Sequence, residues 1–188
     1  GNVDWLDAVS RTGVTMQHTL TMSGGNDKNN YRISADYRDA KGIDLRSERE
    51  EYGARASVMH TSKGGLFTFT ANVAPRIIYR DNADWGVFKD AIEANPTTPM
   101  MDPENPARYY NFMGQVVGSN PVERQKLEQS KGDTKLLDWD ATVKLNLLPL
   151  LAKEGKSNHR LTTQLMFADH QYSNYNSWFR PSTSTIAI

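Results

Sequence analysis

The chain has 188 residues, no cysteine, and 22 basic side chains against 22 acidic ones, so its formal net charge is zero. A nucleic-acid-binding protein carries a basic excess, so this balance argues against nucleic acid as a partner. Without cysteine there are neither disulfides nor thiolate metal sites, and no apolar run is long enough for a membrane helix. Because the chain starts at Gly1, with neither an initiator methionine nor a signal peptide, we expect a segment of a longer protein.

Six segments alternate apolar and polar side chains with the period of two that is typical of β-strands. Each runs for about 9–12 residues, which is longer than the usual strand of about 5–6. A tilted strand needs about 9–11 residues to cross a bilayer. The sequence therefore predicts an all-β antiparallel meander of about six long strands. The apolar positions are Val14, Met16, Leu20 and Met22; Tyr31, Ile33, Ala35 and Tyr37; Tyr52, Ala54, Ala56 and Val58; Phe67, Phe69, Ala71 and Val73; Leu137, Trp139, Ala141, Val143, Leu145 and Leu147; Leu161, Leu165 and Phe167.

The connections between these segments alternate in length. Residues 24–27 and 62–65 are Gly-rich and predict tight hairpin turns, and residues 149–158 predict a third, somewhat longer turn. Residues 39–47, residues 81–133 and the tail from His170 predict longer connections. In a meander this alternation places all long loops at one end of the sheet. Outer-membrane barrels have this layout, with the long loops outward, so we interpret the chain as a partial outer-membrane β-barrel.

Short helices are predicted at three places outside the strands. Residues 5–9 form a short amphipathic turn before the first strand. Within the long loop 81–133, Asp84 is a helix cap, and Asn120 starts a capping box with proline at the first helical position. We expect Gly132 to end the second of these helices. The face predicted for the first one consists of Trp85, Phe88, Ala91 and Ile92.

Nothing in the sequence predicts catalysis, a cofactor or a metal. The four histidines lack metal-ligand spacing, and no G-x-S-x-G motif occurs. Asp138 and Asp140 share a strand face and leave open a hydrolase with two carboxylates. Lys144 continues the same face, however, which favours an ordinary polar strand surface.

Aromatic side chains in the long connections are the candidate ligand-binding residues. Aromatic faces beside amide and hydroxyl groups suit sugar or peptide ligands. The alternative for each residue is packing of the loops against one another. The candidates are Trp85, Tyr109, Tyr110, Phe112, Tyr172 and Trp178.

Several short motifs together resemble the start of the barrel in SusC/RagA-type TonB-dependent transporters of Bacteroidetes. The order and spacing of the motifs carry the resemblance. The third and fourth strands depart from the family, because residues 61–65 stand where a Trp-bearing turn is expected. The matching motifs are Asp4-Trp5-Leu6-Asp7, Arg11-Thr12-Gly13, Ser23-Gly24-Gly25, Tyr31, Tyr37, Gly42-Ile43, Asn95-Pro96-Thr97-Thr98-Pro99 and Asn120-Pro121-Val122.

The resemblance implies a plugged barrel of about 22 strands in the outer membrane of a Gram-negative cell. Such a protein imports oligosaccharides or peptides, is driven through TonB and is partnered by a SusD-like surface lipoprotein. The chain would be a single barrel segment, with residues 1–13 as the junction to the plug, 14–80 as the first two hairpins and 81–133 as an outer loop. Residues 134–170 would form the third hairpin, and residues 171–188 would start the next outer loop. The apolar strand faces would contact lipid. A soluble β-rich carbohydrate-binding module is the alternative.

Overall fold

The computed structural model of the chain describes residues 2–82, 84–147, 161–182 and 184. These residues form one six-stranded antiparallel sheet in which the strands follow chain order. The all-β meander is thus confirmed. The strands are β1 (Val14–Gly25), β2 (Asn29–Lys41), β3 (Glu48–Thr61), β4 (Phe67–Asp81), β5 (Gln129–Asn146) and β6 (Thr162–Phe179).

The register of the sheet places all six apolar sets on one face. Residues directly opposite each other in an antiparallel pair point to the same side. Leu20 lies opposite Ala35, Ala35 opposite Ala54, and Phe69 opposite Val143. Val143 in turn lies opposite Leu165. We call this side the apolar face and the opposite side the polar face.

The two ends of the sheet differ as predicted. Residues 26–28 join β1 to β2, and residues 62–66 join β3 to β4, where Gly64 and Gly65 take φ values of 82° and 70° in a turn. We call this the turn end. At the opposite end, the loop end, residues 42–47 join β2 to β3 and residues 82–128 join β4 to β5. The predicted turn 149–158 lies outside the described residues.

Several strands extend further than side-chain alternation indicates. β2 continues to Lys41, and β5 begins at Gln129, so the predicted long connections 39–47 and 81–133 shrink to 42–47 and 82–128. Gly132 pairs with Asn176 inside the sheet and does not end a helix. β6 continues to Phe179, so residues 171–179 are strand and not loop. Backbone pairing requires no apolar side chains, and it therefore persists where both faces turn polar.

Among the described residues, three short α-helices lie outside the sheet, and two of them begin at the predicted caps Asp84 and Asn120. They are α1 (Trp5–Val9), α2 (Trp85–Glu93) and α3 (Pro121–Leu127). The Asp84 carboxylate accepts a hydrogen bond from the Gly86 amide at 3.0 Å. The predicted face of α2 is wrong in part, because Val87 and Ala91 are its buried residues. Trp85 and Ile92 are exposed.

The hydrophobic core of the described residues lies in this helical layer, not in the sheet. α1 packs with α2 and α3, so the segment before β1 joins the connection between β4 and β5. The Trp5 indole N–H donates to the Asn95 carbonyl at 3.1 Å, and the Val3 amide donates to the Pro96 carbonyl at 2.8 Å. We call this assembly the outer layer. Its buried core is Trp5, Val9, Val87, Ala91, Ala94, Phe112, Val117 and Val122.

Candidate functional site

The apolar face is uncovered along the described strands. Large hydrophobic side chains from β1 to β6 stand exposed on it, with Leu20 75% and Leu165 59% exposed. In water this arrangement is unfavourable, because a contiguous exposed apolar area larger than a few hundred Å² normally marks a surface that contacts another apolar phase. No helix among the described residues is long and apolar enough to cross a membrane.

Aromatic rings gather towards both ends of the apolar face. Towards the loop end, the Tyr37 and Tyr52 ring centroids lie 5.0 Å apart, and Tyr79 follows at 6.3 Å from Tyr52. Towards the turn end, Phe69 lies opposite His60. From Tyr79 to Phe69 the strand rises about 33 Å, or about 23 Å of height at a tilt of about 45°. This height matches the apolar band of about 25 Å that aromatic girdles flank in membrane barrels.

The polar face of β2, β3 and β4 is organised around one buried acid. Glu51 is 4% exposed. Its carboxylate lies 2.7 Å from Nε of Arg49, 3.4 Å from Arg76 and 3.5 Å from Arg38. Arg76 also lies 3.7 Å from the Asp36 carboxylate. Three cations around one buried carboxylate neutralise it and leave positive charge in excess at this part of the face.

Towards the loop end, the polar face of β4 to β6 combines guanidinium, amide and aromatic groups. Arg80 donates to Thr134 Oγ1 at 2.9 Å and to Asn174 Oδ1 at 3.1 Å. Tyr172 lies opposite Leu136, which lies opposite Arg76. This surface resembles those that bind polar ligands through a few hydrogen-bonding groups beside aromatic rings.

The structure separates the predicted ligand-binding residues into three groups. Tyr172 and Trp178 stand exposed on the polar face of β6, and the Arg180 guanidinium lies 5.1 Å from the Trp178 ring centroid. Trp85 stands exposed on the outer layer and stacks on Phe88 with centroids 6.0 Å apart.

The remaining three predicted residues pack inside the outer layer. Phe112 is 1% exposed and belongs to the buried core, so we drop it from the set of ligand contacts. Tyr109 and Tyr110 are partly buried against that core. Burial raises the pKa of the Tyr109 phenol, and the nearby Glu123 carboxylate raises it further. For these residues, loop packing is the role that the structure shows.

The partners of Asp138 and Asp140 argue against the two-carboxylate hydrolase. The Asp138 carboxylate contacts Nδ1 of His170 across the β5–β6 pair. Asp140 accepts a hydrogen bond from the Asn72 amide at 2.9 Å. Both carboxylates are thus held by neighbouring strands. Within the described part of the chain, no group of three or more acidic or histidine side chains could hold a metal ion.

Sequence reasoning missed the arginines of the polar face as a group. Arg32, Arg38 and Arg55 were visible only as polar members of alternating strands. The register brings them onto one surface with Arg76 and Arg80. The available signal was the residue type. Serine or threonine is enough to make a strand surface polar, whereas these positions hold arginine.

Two comparisons place the chain among known proteins, whereas no model of a known protein family matches it. The TonB-dependent receptor SusC of Bacteroides thetaiotaomicron is 29% identical over 114 residues. This match covers 60% of the present chain and 11% of the relative. The solved structure of the RagAB peptide importer in the closed-closed state superposes with a TM-score of 0.72 at 16% identity. It covers 98% of this chain and 20% of that chain.

These comparisons show which known proteins the chain is similar to. The superposition shows that the sheet has the fold of a barrel segment from an importer of this kind. The resemblance to SusC/RagA-type TonB-dependent receptors is confirmed by the two matches, although this chain spans only a small part of each. Both relatives are named as a receptor or an importer, and neither is named as an enzyme.

Proposed function

We propose that this chain forms part of the wall and the outer loops of a TonB-dependent nutrient receptor in the outer membrane of a Gram-negative cell. The uncovered apolar face between two aromatic zones carries the proposal. In a bilayer this face contacts lipid, which removes the exposed apolar area from water. The loop end with its helical layer then points away from the cell, and the turn end lies at the periplasmic side.

The polar face lines the lumen in this arrangement and meets the imported nutrient. Tyr172 and Trp178 on β6, together with Trp85 on the outer layer, are the proposed ligand contacts among the aromatic residues, and Tyr109 and Tyr110 support them. An oligosaccharide or a peptide fits such a surface. The structural relative is named a peptide importer, which supports the second.

The partners follow from the class of protein and are proposed for the parent protein. They are a SusD-like surface lipoprotein at the loop end and TonB, which energises the transport. The assignment of residues 1–13 as a junction with a plug stays a prediction. Trp5 and Val9 contribute to the outer layer in this structure.

A soluble carbohydrate-binding module is disfavoured by the same apolar face. A soluble sheet buries one face against a second layer. Among the described residues, the outer layer packs at the loop end and leaves Leu20, Val58 and Leu165 exposed. Isolated carbohydrate modules do not leave an entire sheet face of this kind in water.

Site-directed spin labelling tests the membrane placement. The chain has no cysteine, so Val58→Cys on the apolar face and the adjacent Ser57→Cys on the polar face can be labelled one at a time, provided that the rest of the full-length protein offers no reactive thiol. In lipid vesicles, we expect the label at position 58 to collide with oxygen, which concentrates in the bilayer. The label at position 57 should collide with a water-soluble nickel chelate.

The two neighbouring labels are each other's control. Because adjacent residues of a strand point to opposite sides, the label that is accessible to oxygen should be inaccessible to the nickel chelate, and the reverse should hold for the other label. Equal access of the nickel chelate to both labels would contradict the membrane placement. Specific sugar binding by a water-soluble form of the protein would favour the carbohydrate module.

A further inference from the structure

We propose that the polar face of β2, β3 and β4 carries a ladder of arginines that guides an acidic peptide from the loop end into the barrel. This inference rests on the proposed function, because it takes the polar face to line the lumen. It adds the charge and the chemical class of the nutrient.

The ladder follows from the register of three strands. Arg49 lies opposite Arg80 nearest the loop end, and Arg38 lies opposite Glu51 in the next row of the polar face. Arg76 then lies opposite Gly53. The two rows beyond it hold Arg55 and Arg32. Each of the first five rows from the loop end thus contains arginine. These rows are Arg49 and Arg80; Arg38 and Glu51; Asp36, Gly53 and Arg76; Ser34 and Arg55; Arg32, Ser57 and Asn72.

The ladder carries excess positive charge. It has six arginines, whereas Glu51 and Asp36 are the only carboxylates on the polar face of these three strands. Both carboxylates lie in the middle rows, where Arg38, Arg49 and Arg76 surround them. The structure therefore neutralises the middle of the ladder in part. At the inner end, the carboxylates in the same rows are Asp138 and Asp140 on β5, which contact His170 and Asn72 and not the arginines.

Arg32 and Arg55 form the inner end of the ladder. Both are exposed, and neither makes an ion pair within the described part of the chain. Their cross-strand neighbours are hydroxyl groups, since Arg32 lies opposite Ser57 and Arg55 opposite Ser34. Guanidinium groups flanked by hydroxyl donors suit a carboxylate, which accepts several hydrogen bonds at once.

The arrangement of the arginines in successive rows suits a ligand that moves along the sheet. A structural cation is paired where it stands, whereas a path for anions presents successive cations that each bind and then release. The rows follow one another at two residues per step, about 6.6 Å along the strands. The five rows together extend about 26 Å from the loop end inward.

The same spacing favours a peptide over a sugar chain. Alternate side chains of an extended peptide repeat every two residues, about 6.6–6.8 Å apart, and point to one side. Carboxylates at every second residue of such a peptide match the steps of the ladder. The long, flexible arginine side chains cover the sideways offset between strands, which is about 4.8 Å.

Peptide binding to the full-length protein in detergent tests the proposal. The probe is a fluorescent hexapeptide of alternating serine and glutamate, and its matched control replaces each glutamate by glutamine. We expect the glutamate peptide to bind about tenfold more tightly at low salt, because guanidinium–carboxylate bonds are charge-assisted. This advantage should shrink in 0.5 M salt, where screening is strong.

Substitutions at the inner end test whether the preference for the glutamate peptide depends on the ladder. Arg32→Gln and Arg55→Gln together should weaken binding of the glutamate peptide by about three- to tenfold and leave binding of the glutamine peptide unchanged. Arg108→Gln is the matched control. Arg108 is also exposed, makes no ion pair among the described residues and lies in the loop 82–128, away from the ladder.

Three outcomes would overturn the proposal. The first is equal binding of the two peptides to the unmodified protein. The second is a double variant that loses thermal stability but keeps its preference for glutamate, which would assign the ladder to holding an acidic surface of the parent protein itself. The third is tighter binding of tetragalacturonate than of the glutamate peptide, which would assign the ladder to acidic sugars.

The experiments can show separately whether the ladder proposal or the proposed function is wrong. If the spin labels at positions 57 and 58 show opposite accessibilities and the two peptides bind equally, the barrel segment stands and the ladder does not. If both labels are water-accessible, the membrane placement itself is wrong.

Discussion

Trp5 and Phe112 meet edge to face, with ring centroids 5.4 Å apart and planes at 87°. Trp5 lies in α1 before the first strand, and Phe112 lies in the connection between α2 and α3. Both rings are almost fully buried. This contact ties the segment before β1 to the connection between β4 and β5, so the outer layer is one packed unit above the sheet and not a set of independent loops.

Trp5→Ala should open the outer layer. Truncation of a buried aromatic side chain costs about 3–5 kcal/mol, and the variant also loses the indole hydrogen bond to Asn95. We expect amide hydrogens of α2 and α3 to exchange faster, while those of the strands keep their protection. Ile92→Ala, at a position 72% exposed, is the control and should change exchange very little. Unchanged protection of α2 and α3 in Trp5→Ala would contradict a shared core.

Asn120→Ala should destabilise the same layer from its other side. The buried Asn120 side chain accepts hydrogen bonds from the amides of Val122 and Glu123 at 3.1 and 3.3 Å, and its amide donates to the Met100 carbonyl at 2.9 Å. The loss of a helix cap costs about 1–2 kcal/mol, and the unpaired carbonyl adds about 1–3 kcal/mol.

Thermolysin cleavage within residues 96–119 measures this effect. Asn105→Ala is the matched control, since Asn105 accepts one bond from the Ala107 amide at 3.2 Å in an exposed turn. Equal cleavage rates for the two variants would show that Asn120 does not secure the layer.

Glu51→Gln should weaken the sheet at its loop end. Removal of the charge leaves Arg38, Arg49 and Arg76 facing one another without a carboxylate between them. Because these arginines are about half exposed, water screens part of the repulsion, and we expect a loss of about 1–3 kcal/mol in the free energy of unfolding. Urea unfolding of the full-length protein in lipid measures the loss, with Glu104→Gln at an exposed loop position as the control. A stability equal to that of the control would rule out a structural role for this acid.

Tyr109 should ionise at higher pH than a free tyrosine, because burial and then the Glu123 carboxylate raise the pKa of its phenol. Below pH 10 the phenol is protonated in both the folded and the unfolded chain, so it has no effect on stability there. Above pH 10 the unfolded chain loses this proton first. Tyr109 therefore makes the folded state progressively less stable as the pH rises from 10 towards its raised pKa.

The difference in absorbance at 295 nm between the unmodified protein and Tyr109→Phe follows this ionisation. In Glu123→Gln, the midpoint of the same difference should move towards that of free tyrosine. An unmoved midpoint would leave burial alone as the cause.

Local physical chemistry made much of the architecture predictable. The alternation in β1 to β6 predicts strands, since side chains on a strand point to opposite sides in turn. The turn at residues 62–66 was also predictable, because glycine adopts the positive φ that such a turn requires. The turn predicted at residues 24–27 lies at 26–28 instead and contains no glycine, and the Asn26 side chain closes it by accepting hydrogen bonds from the amides of Lys28 and Asn29. Asp84 and Asn120 marked helix starts correctly, since a cap depends on a few consecutive residues and on nothing distant.

Structural features that depend on residues distant in the sequence were not predictable. The buried side of α2 is set by Trp5 and Phe112, which lie far from it in the sequence, so Val87 and not Trp85 turns inward. Phe112 looked like a ligand contact because an aromatic residue in a loop carries no local sign of its burial. The ends of β5 and β6 follow backbone pairing, which has no side-chain signature at polar positions.

The sequence by itself thus determined which residues of each strand share a face, because that depends only on the two-residue repeat of the strand. Only the tertiary structure decided which faces of different strands stand together and at what height, because register is a relation between strands. The arginine ladder depends on this register between strands. Its six arginines are scattered from position 32 to position 80, and hydrogen bonding between three strands places them in consecutive rows of one surface.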